Sequence, residues 1–141
     1  MKPGARALGV AESYAGSVST VAGAVVRADS TAESFAFSTC AVGGTDATDA
    51  VAHLWERLDR EDVRFVLVAG IALAWYNVVD LHRLGAVTGR PVLSVSFEAS
   101  AGLEAPIREA FDGPAAQRRI ETYRAQPDRH KVALDGDTVF V

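Results

Sequence analysis

The chain has 141 residues, enough for one domain, and a net charge of −4, which excludes a broad basic face for non-specific duplex binding but leaves room for a local basic groove. With 49% apolar and 23% charged residues it has the make-up of a globular protein, not of a disordered or fibrous one. Cys40 is the single cysteine, so an intrachain disulfide and a cysteine zinc cluster are excluded, and a reducing, cytoplasmic setting is expected.

After the leader MKPGAR, Ala7 to Val10 reads as a short strand ending in the polar cluster ESYAGS. A second strand is centred on Val21 to Val26, and a third lies in ESFAFSTCAV, where Phe35, Phe37 and Thr39 share a face by alternation. Short polar links make these three an antiparallel meander. From Thr45 to Leu58 the period changes to that of a helix: Ala47, Val51, Leu54, Trp55 and Leu58 fall on one side, Thr45 or Asp46 is the N-cap, and Asp46 and Asp49 suit the positive end of the helix dipole.

A buried strand follows over Arg64 to Ala69, and then a second apolar run. Asn77 is expected to cap a helix reaching about Val87, with Asp80 in a capping-box position and Gly89 past the end. RPVLSVSF supplies a fifth strand, Leu103 to Phe111 and Ala115 to Arg124 two further helices broken at DGP, and HKVALDGDTVFV a hairpin turning at Asp135-Gly136. The order implies an α/β fold with a ribonuclease H-like mixed sheet: three antiparallel strands, then βαβ units, with helices on the faces. A single domain over 1–141 is expected, with no internal repeat. No segment has the order of a signal peptide or the unbroken apolar length of a membrane span. The chain ends inside an apolar run two residues after Val139, which suggests a shortened chain or a strand that pairs with another subunit of a homo-oligomer.

The segments KPGARALGVAES, GGTDATDAV, LVAGIALAWYNVVDL and TGRPVLSVSFE resemble, in order and spacing, the uncharacterised archaeal proteins related to endonuclease V. That resemblance covers nearly the whole chain. It implies a ribonuclease H-like fold with acidic residues holding divalent metal, Mg or Mn, at the sheet edge, and DNA or RNA as partner. It also implies aspartates where this chain has Ala11 and Ala69, in GVAES and VAGIA, with Glu12 keeping a carboxylate at the first position. Two-metal phosphodiester cleavage needs several converging carboxylates, and alanine supplies none.

The candidate catalytic residues are therefore Glu12 and Asp80, and the candidate metal ligands Glu12, Asp46 and Asp80. Each has a plainer reading: a turn carboxylate for Glu12, helix-end electrostatics for Asp46 and Asp80. Tyr14, Trp75, Tyr76, Asn77, Arg118 and Arg119 are the candidate nucleic-acid contacts, the aromatics as stacking surfaces and the arginines as phosphate partners. Core packing and a solvated helix face are their alternatives. Three functions follow: a nucleic-acid-binding protein with weakened or lost metal-dependent nuclease activity; an active magnesium-dependent endonuclease with relocated ligands; or an oligomeric interaction module without nucleic-acid chemistry.

Overall fold

A computed structural model describes residues 4–141; the first three residues of the MKPGAR leader lie outside it. The strands β1 (Arg6–Ala15), β2 (Val18–Arg27) and β3 (Ala32–Ala41) form the expected meander, each ten residues long. Helix α1 (Ala47–Leu58) leads to β4 (Val63–Ala69), which lies parallel to β1. Helix α2 (Leu81–Thr88) then crosses to β7 (Val92–Val95), parallel to β4, completing the five-stranded order β3-β2-β1-β4-β7.

Between β4 and β7 the chain departs from expectation. A small hairpin of β5 (Ala72–Leu73) and β6 (Asn77–Val78) precedes α2 (Leu81–Thr88). Asn77 therefore lies in a strand, and the residue that caps α2 is Asp80, whose side chain accepts from the Arg83 N–H. The helix stops at Gly89, which adopts the left-handed conformation that glycine takes most cheaply. Downstream come β7 (Val92–Val95), α3 (Glu104–Ala110), α4 (Gly113–Arg124) and the terminal hairpin β8 (Lys131–Leu134) with β9 (Asp137–Phe140). The hairpin meets the rest of the sheet through paired backbone hydrogen bonds between Phe140 and Ser96, and Val139 is buried.

A second correction concerns β1, which runs five residues past the expected end at Val10. Its polar segment stays extended because every residue from Arg6 to Ala15 is paired with β2, closing at Ala15↔Val18 around Gly16. Polar side chains are tolerated there because a strand sends alternate residues to opposite faces.

Burial separates those faces. Leu8, Val10, Val21, Val25, Val66 and Val68 point toward α1 and join Val51, Leu54 and Leu84 in the main core. Gly23 sits opposite Val10 because a side chain there would press on Leu8 and Leu54, 3.1 and 3.2 Å from a methyl carbon. A second, smaller core joins Val78 to Ile107, Ala116 and Ile120, and so ties α3 and α4 to the β5–β6 hairpin. Among the described residues no helix is long and apolar enough to cross a membrane.

Candidate functional site

The loop from β3 to α1, the β5–β6 hairpin and the start of α2 meet at one end of the sheet. Asn77 joins them. Its side chain is fully buried; Oδ1 accepts from the Ala47 N–H at 2.9 Å, while Nδ2 donates to the Ala41 carbonyl and to Asp46 Oδ1, both at 2.9 Å. The amide thus supplies the acceptor that the first turn of α1 needs and that Asp46, with no capping hydrogen bond of its own, does not give. Asp46 instead turns back to accept from the Ala41 N–H at 3.0 Å.

The tip of the hairpin is strained. Ala74, Trp75 and Tyr76 have φ of 45°, 60° and 56°, three consecutive left-handed residues of which none is glycine. At roughly 1–2 kcal/mol each this costs about 3–6 kcal/mol, and the turn persists only because its surroundings hold it. The Gly43 N–H donates to the Ala74 carbonyl at 2.7 Å, Ala74 is buried, and Tyr76 lies edge-on to both Trp75 and Phe111. The same geometry pushes Trp75 outward, leaving it 57% exposed.

Arg119 locks this end from the far side. It is buried, its guanidinium stacks 3.9 Å from the centre of the Phe111 ring, and it donates to the carbonyls of Ala115 and Gly43 at 2.8 and 2.6 Å. Burial, and then neighbouring Arg118, lower its pKa from the usual guanidinium value. Arg119 is therefore a clamp on the β3–α1 loop, whereas Arg118 is exposed to solvent. Helical spacing carried the signal, since Arg119 adjoins the inward face marked by Ala116 and Ile120.

The candidate ligands stand at the same end but each is engaged. Glu12 shares the α1 face with Val10 and accepts from Ser19 Oγ at 2.6 Å; Ser19 is fully buried. Burial, then the Asp46 charge and, less, that of Glu12 raise the thiol pKa of Cys40, against a hydrogen bond with Ser19 that lowers it. Asp80 caps α2, while its own N–H donates to Thr48 Oγ1 at 3.0 Å. Asp49 pairs with Arg83, and the exposed His82 meets the Ala125 carbonyl. Among the described residues no three His, Cys, Asp or Glu side chains are grouped so as to hold a metal ion. The donors present do not fit a two-ion site.

Ala11 and Ala69 are exposed neighbours. They stand one residue beyond the paired Val10↔Val68 of β1 and β4, on the face turned away from α1, opposite to Glu12. Glu12 therefore does not stand in for an acid at Ala11. Tyr14, near the end of β1, is 61% exposed. Beside the hairpin, a cavity of about 920 Å³ opens between Trp75 and Tyr76 on one side and Tyr123, Arg124, Arg129 and His130 on the other.

Known proteins share this framework. A UPF0215 protein of Pyrobaculum calidifontis is 37% identical over 107 residues, covering 75% of this chain and 58% of that relative, so the chain matches little more than half the relative's length. A protein of unknown function from Archaeoglobus fulgidus superposes with a TM-score of 0.81 at 24% identity, over 96% of this chain and 76% of the other. Endonuclease V from Ciona intestinalis, in complex with a 24mer DNA containing an inosine followed by a ribo-adenosine, gives a TM-score of 0.50 at 8% identity over 96% and 69%. These two structural likenesses show a common mixed α/β fold. The family model of endonuclease dU matches residues 3–141, nearly the whole chain, and the chain belongs to that family.

Proposed function

We propose that this protein binds nucleic acid and has weakened or lost the metal-dependent nuclease activity that the resemblance to endonuclease V implies. The observation that carries the reading is the pair Ala11 and Ala69, adjacent and exposed on neighbouring parallel strands. Two methyl groups occupy the positions where the resemblance places acids, and methyl groups coordinate nothing. Glu12, Asp46 and Asp80 are each tied into hydrogen bonds that hold the fold, which weighs against their having been recruited as replacement ligands. Mg²⁺ can be held by one or two carboxylates when substrate phosphates complete the shell, so residual activity would rest on Glu12, Asp46 or Asp80.

Family membership and the DNA bound by the Ciona endonuclease V support nucleic acid as the partner. Trp75 is the stacking surface, held outward by the left-handed turn; Arg129 and Arg124, the latter paired with Glu104, line the cavity beside it, and exposed Arg118 lies on the same helix as Arg124. Asn77 and Arg119 contribute by holding that surface in place.

The test is an anisotropy titration with single-stranded oligonucleotides that are unmodified or carry inosine or deoxyuridine, at several salt concentrations. Affinity should fall as salt rises, because phosphate contacts release counterions. Trp75→Ala should weaken binding about 5- to 150-fold, the equivalent of roughly 1–3 kcal/mol for a stacked base. Absence of binding at low salt refutes the nucleic-acid reading. Robust Mg²⁺- or Mn²⁺-dependent cleavage that disappears in Glu12→Gln refutes the loss of activity.

A further inference from the structure

The β5–β6 hairpin is fixed at its base and strained at its tip. Leu73 and Asn77 pair across it and are buried, and the Val79 N–H donates to the Ile71 carbonyl at 2.8 Å. The Asn77 amide is bonded to Ala41 and Asp46, so Ala74, Trp75 and Tyr76 lie between fixed ends. A three-residue hairpin loop ordinarily keeps its first two residues in the right-handed region and only the third left-handed. Here all three are left-handed. The excess strain falls on Ala74 and Trp75, and the contacts that oppose it are of the same order: one hydrogen bond from the Gly43 N–H to the Ala74 carbonyl at 2.7 Å, and the edge-on contacts of Tyr76 with Trp75 and Phe111. Gly43 is itself held from the other side, its carbonyl accepting from Arg119, whose buried Nε finds no hydrogen-bond partner among the described residues. The clamp is made at a cost of its own.

We propose that this tip is a two-state latch set by Arg119. While the guanidinium holds Gly43, the turn is left-handed throughout and Trp75 stands outward. When that hold is released, Ala74 and Trp75 pass to the ordinary right-handed geometry, the Ala74 carbonyl turns from Gly43, and the indole leaves its place beside Tyr76. Strain nearly balanced by a few contacts is what makes an element bistable. The latch follows from the backbone and its clamp; its use, presenting or withdrawing a stacking surface for a base, rests on the nucleic-acid reading above. A strand stacked on the outward indole favours the left-handed state and, by linkage, tightens the hold of α4 on the β3–α1 loop.

Fluorine NMR of the chain labelled with 5-fluorotryptophan tests the latch without nucleic acid, Trp55→Phe assigning the resonances of the two tryptophans. Arg119→Ala should move most of the Trp75 signal to a second position. Adding Ala74→Gly, which frees one residue of a left-handed penalty of about 1–2 kcal/mol, should shift the populations back ~5- to 30-fold. Ala74→Pro, whose ring holds φ at about −65°, should fold and give the second position with Arg119 in place, which keeps the proposal testable should Arg119→Ala fail to fold. An unmoved Trp75 signal in a folded Arg119→Ala chain overturns the latch, as does Ala74→Gly without effect on the populations, or an Ala74→Pro chain that is unfolded or keeps the first position. Single-stranded oligonucleotide should bind Ala74→Pro at least ~5-fold more weakly than Ala74→Gly. Equal binding by the two overturns the use assigned to the latch. Binding by neither refutes the nucleic-acid reading, and the fluorine signals still decide the latch.

Discussion

Replacing Asn77 by alanine tests the account of how the site is held together. The substitution removes three hydrogen bonds at 2.9 Å. The Ala41 carbonyl belongs to an exposed residue and can turn to water, so its loss is nearly neutral. The Ala47 N–H is buried at the start of α1 and loses its acceptor, at a cost of about 1–3 kcal/mol, and the bond to the Asp46 carboxylate contributes about 1.5–3 kcal/mol more. The sum is roughly 2.5–6 kcal/mol. With a urea dependence of about 2 kcal/mol per molar for a chain of this size, the unfolding midpoint should drop by about 1.2–3 M. Asn77→Asp keeps the shape but sets a second carboxylate against Asp46 Oδ1, so it should be at least as damaging at neutral pH. It should recover partly on acidification, because the close pair raises one folded-state pKa and the protonated form then donates where Asn77 did. A midpoint shift below about 0.5 M for Asn77→Ala, close to 1 kcal/mol, would refute the view that this amide joins loop, hairpin and helix.

Three further outcomes are expected. Gly23→Ala should destabilise by about 1–3 kcal/mol in urea titration, since its methyl would lie 3.1 Å from Leu8 and 3.2 Å from Leu54 in a filled core. Arg119→Ala should accelerate amide hydrogen exchange at Gly43, Gly44 and Thr45 while leaving β8 and β9 unchanged, because the clamp on the Gly43 carbonyl is lost. At the opposite end of the sheet, a hydrogen bond from Arg6, with help from Arg60, lowers the pKa of Glu33, and Arg60 does the same to Asp62. Stability from these groups is present above the ordinary carboxylate range and is lost as pH falls through their depressed folded-state values. Glu33→Gln should therefore flatten the acid side of a plot of unfolding midpoint against pH, and added salt should diminish the difference.

The meander was legible because alternation is a short-range signal, and it survives even where the outward residues of β3 are phenylalanines. Helix α1 was legible for the same reason, its apolar residues recurring at helical spacing. The β5–β6 hairpin was not. Its strands are two residues long and its turn is built from Ala74, Trp75 and Tyr76 in a conformation that none of them prefers, so tertiary contacts override local preference. Asn77 reads as a cap locally, yet its partners lie 30 to 36 residues away, a separation that no local pattern encodes. The positions of Ala11 and Ala69 needed only the register of two strands, and the resemblance had already marked them. That Glu12 faces the other way follows from alternation once β1 extends through it, but the polar run ESYAGS hid that extension.

The two methyl groups bear directly on the proposed loss of nuclease activity. Carboxylates side by side on a bare sheet repel each other unless a cation lies between them, so a pair at Ala11 and Ala69 would be costly without metal. On the proposed reading, alanine at both positions leaves such a cation without ligands. Acids introduced with Ala11→Asp and Ala69→Asp should therefore create a cation site. The variant should gain stabilisation from Mn²⁺, about 1.4 kcal/mol when the free ion is at ten times its dissociation constant. Mn²⁺-dependent stabilisation of the unaltered chain equal to that of the variant would mean that the cation is held elsewhere, and the significance given to the alanines would be lost.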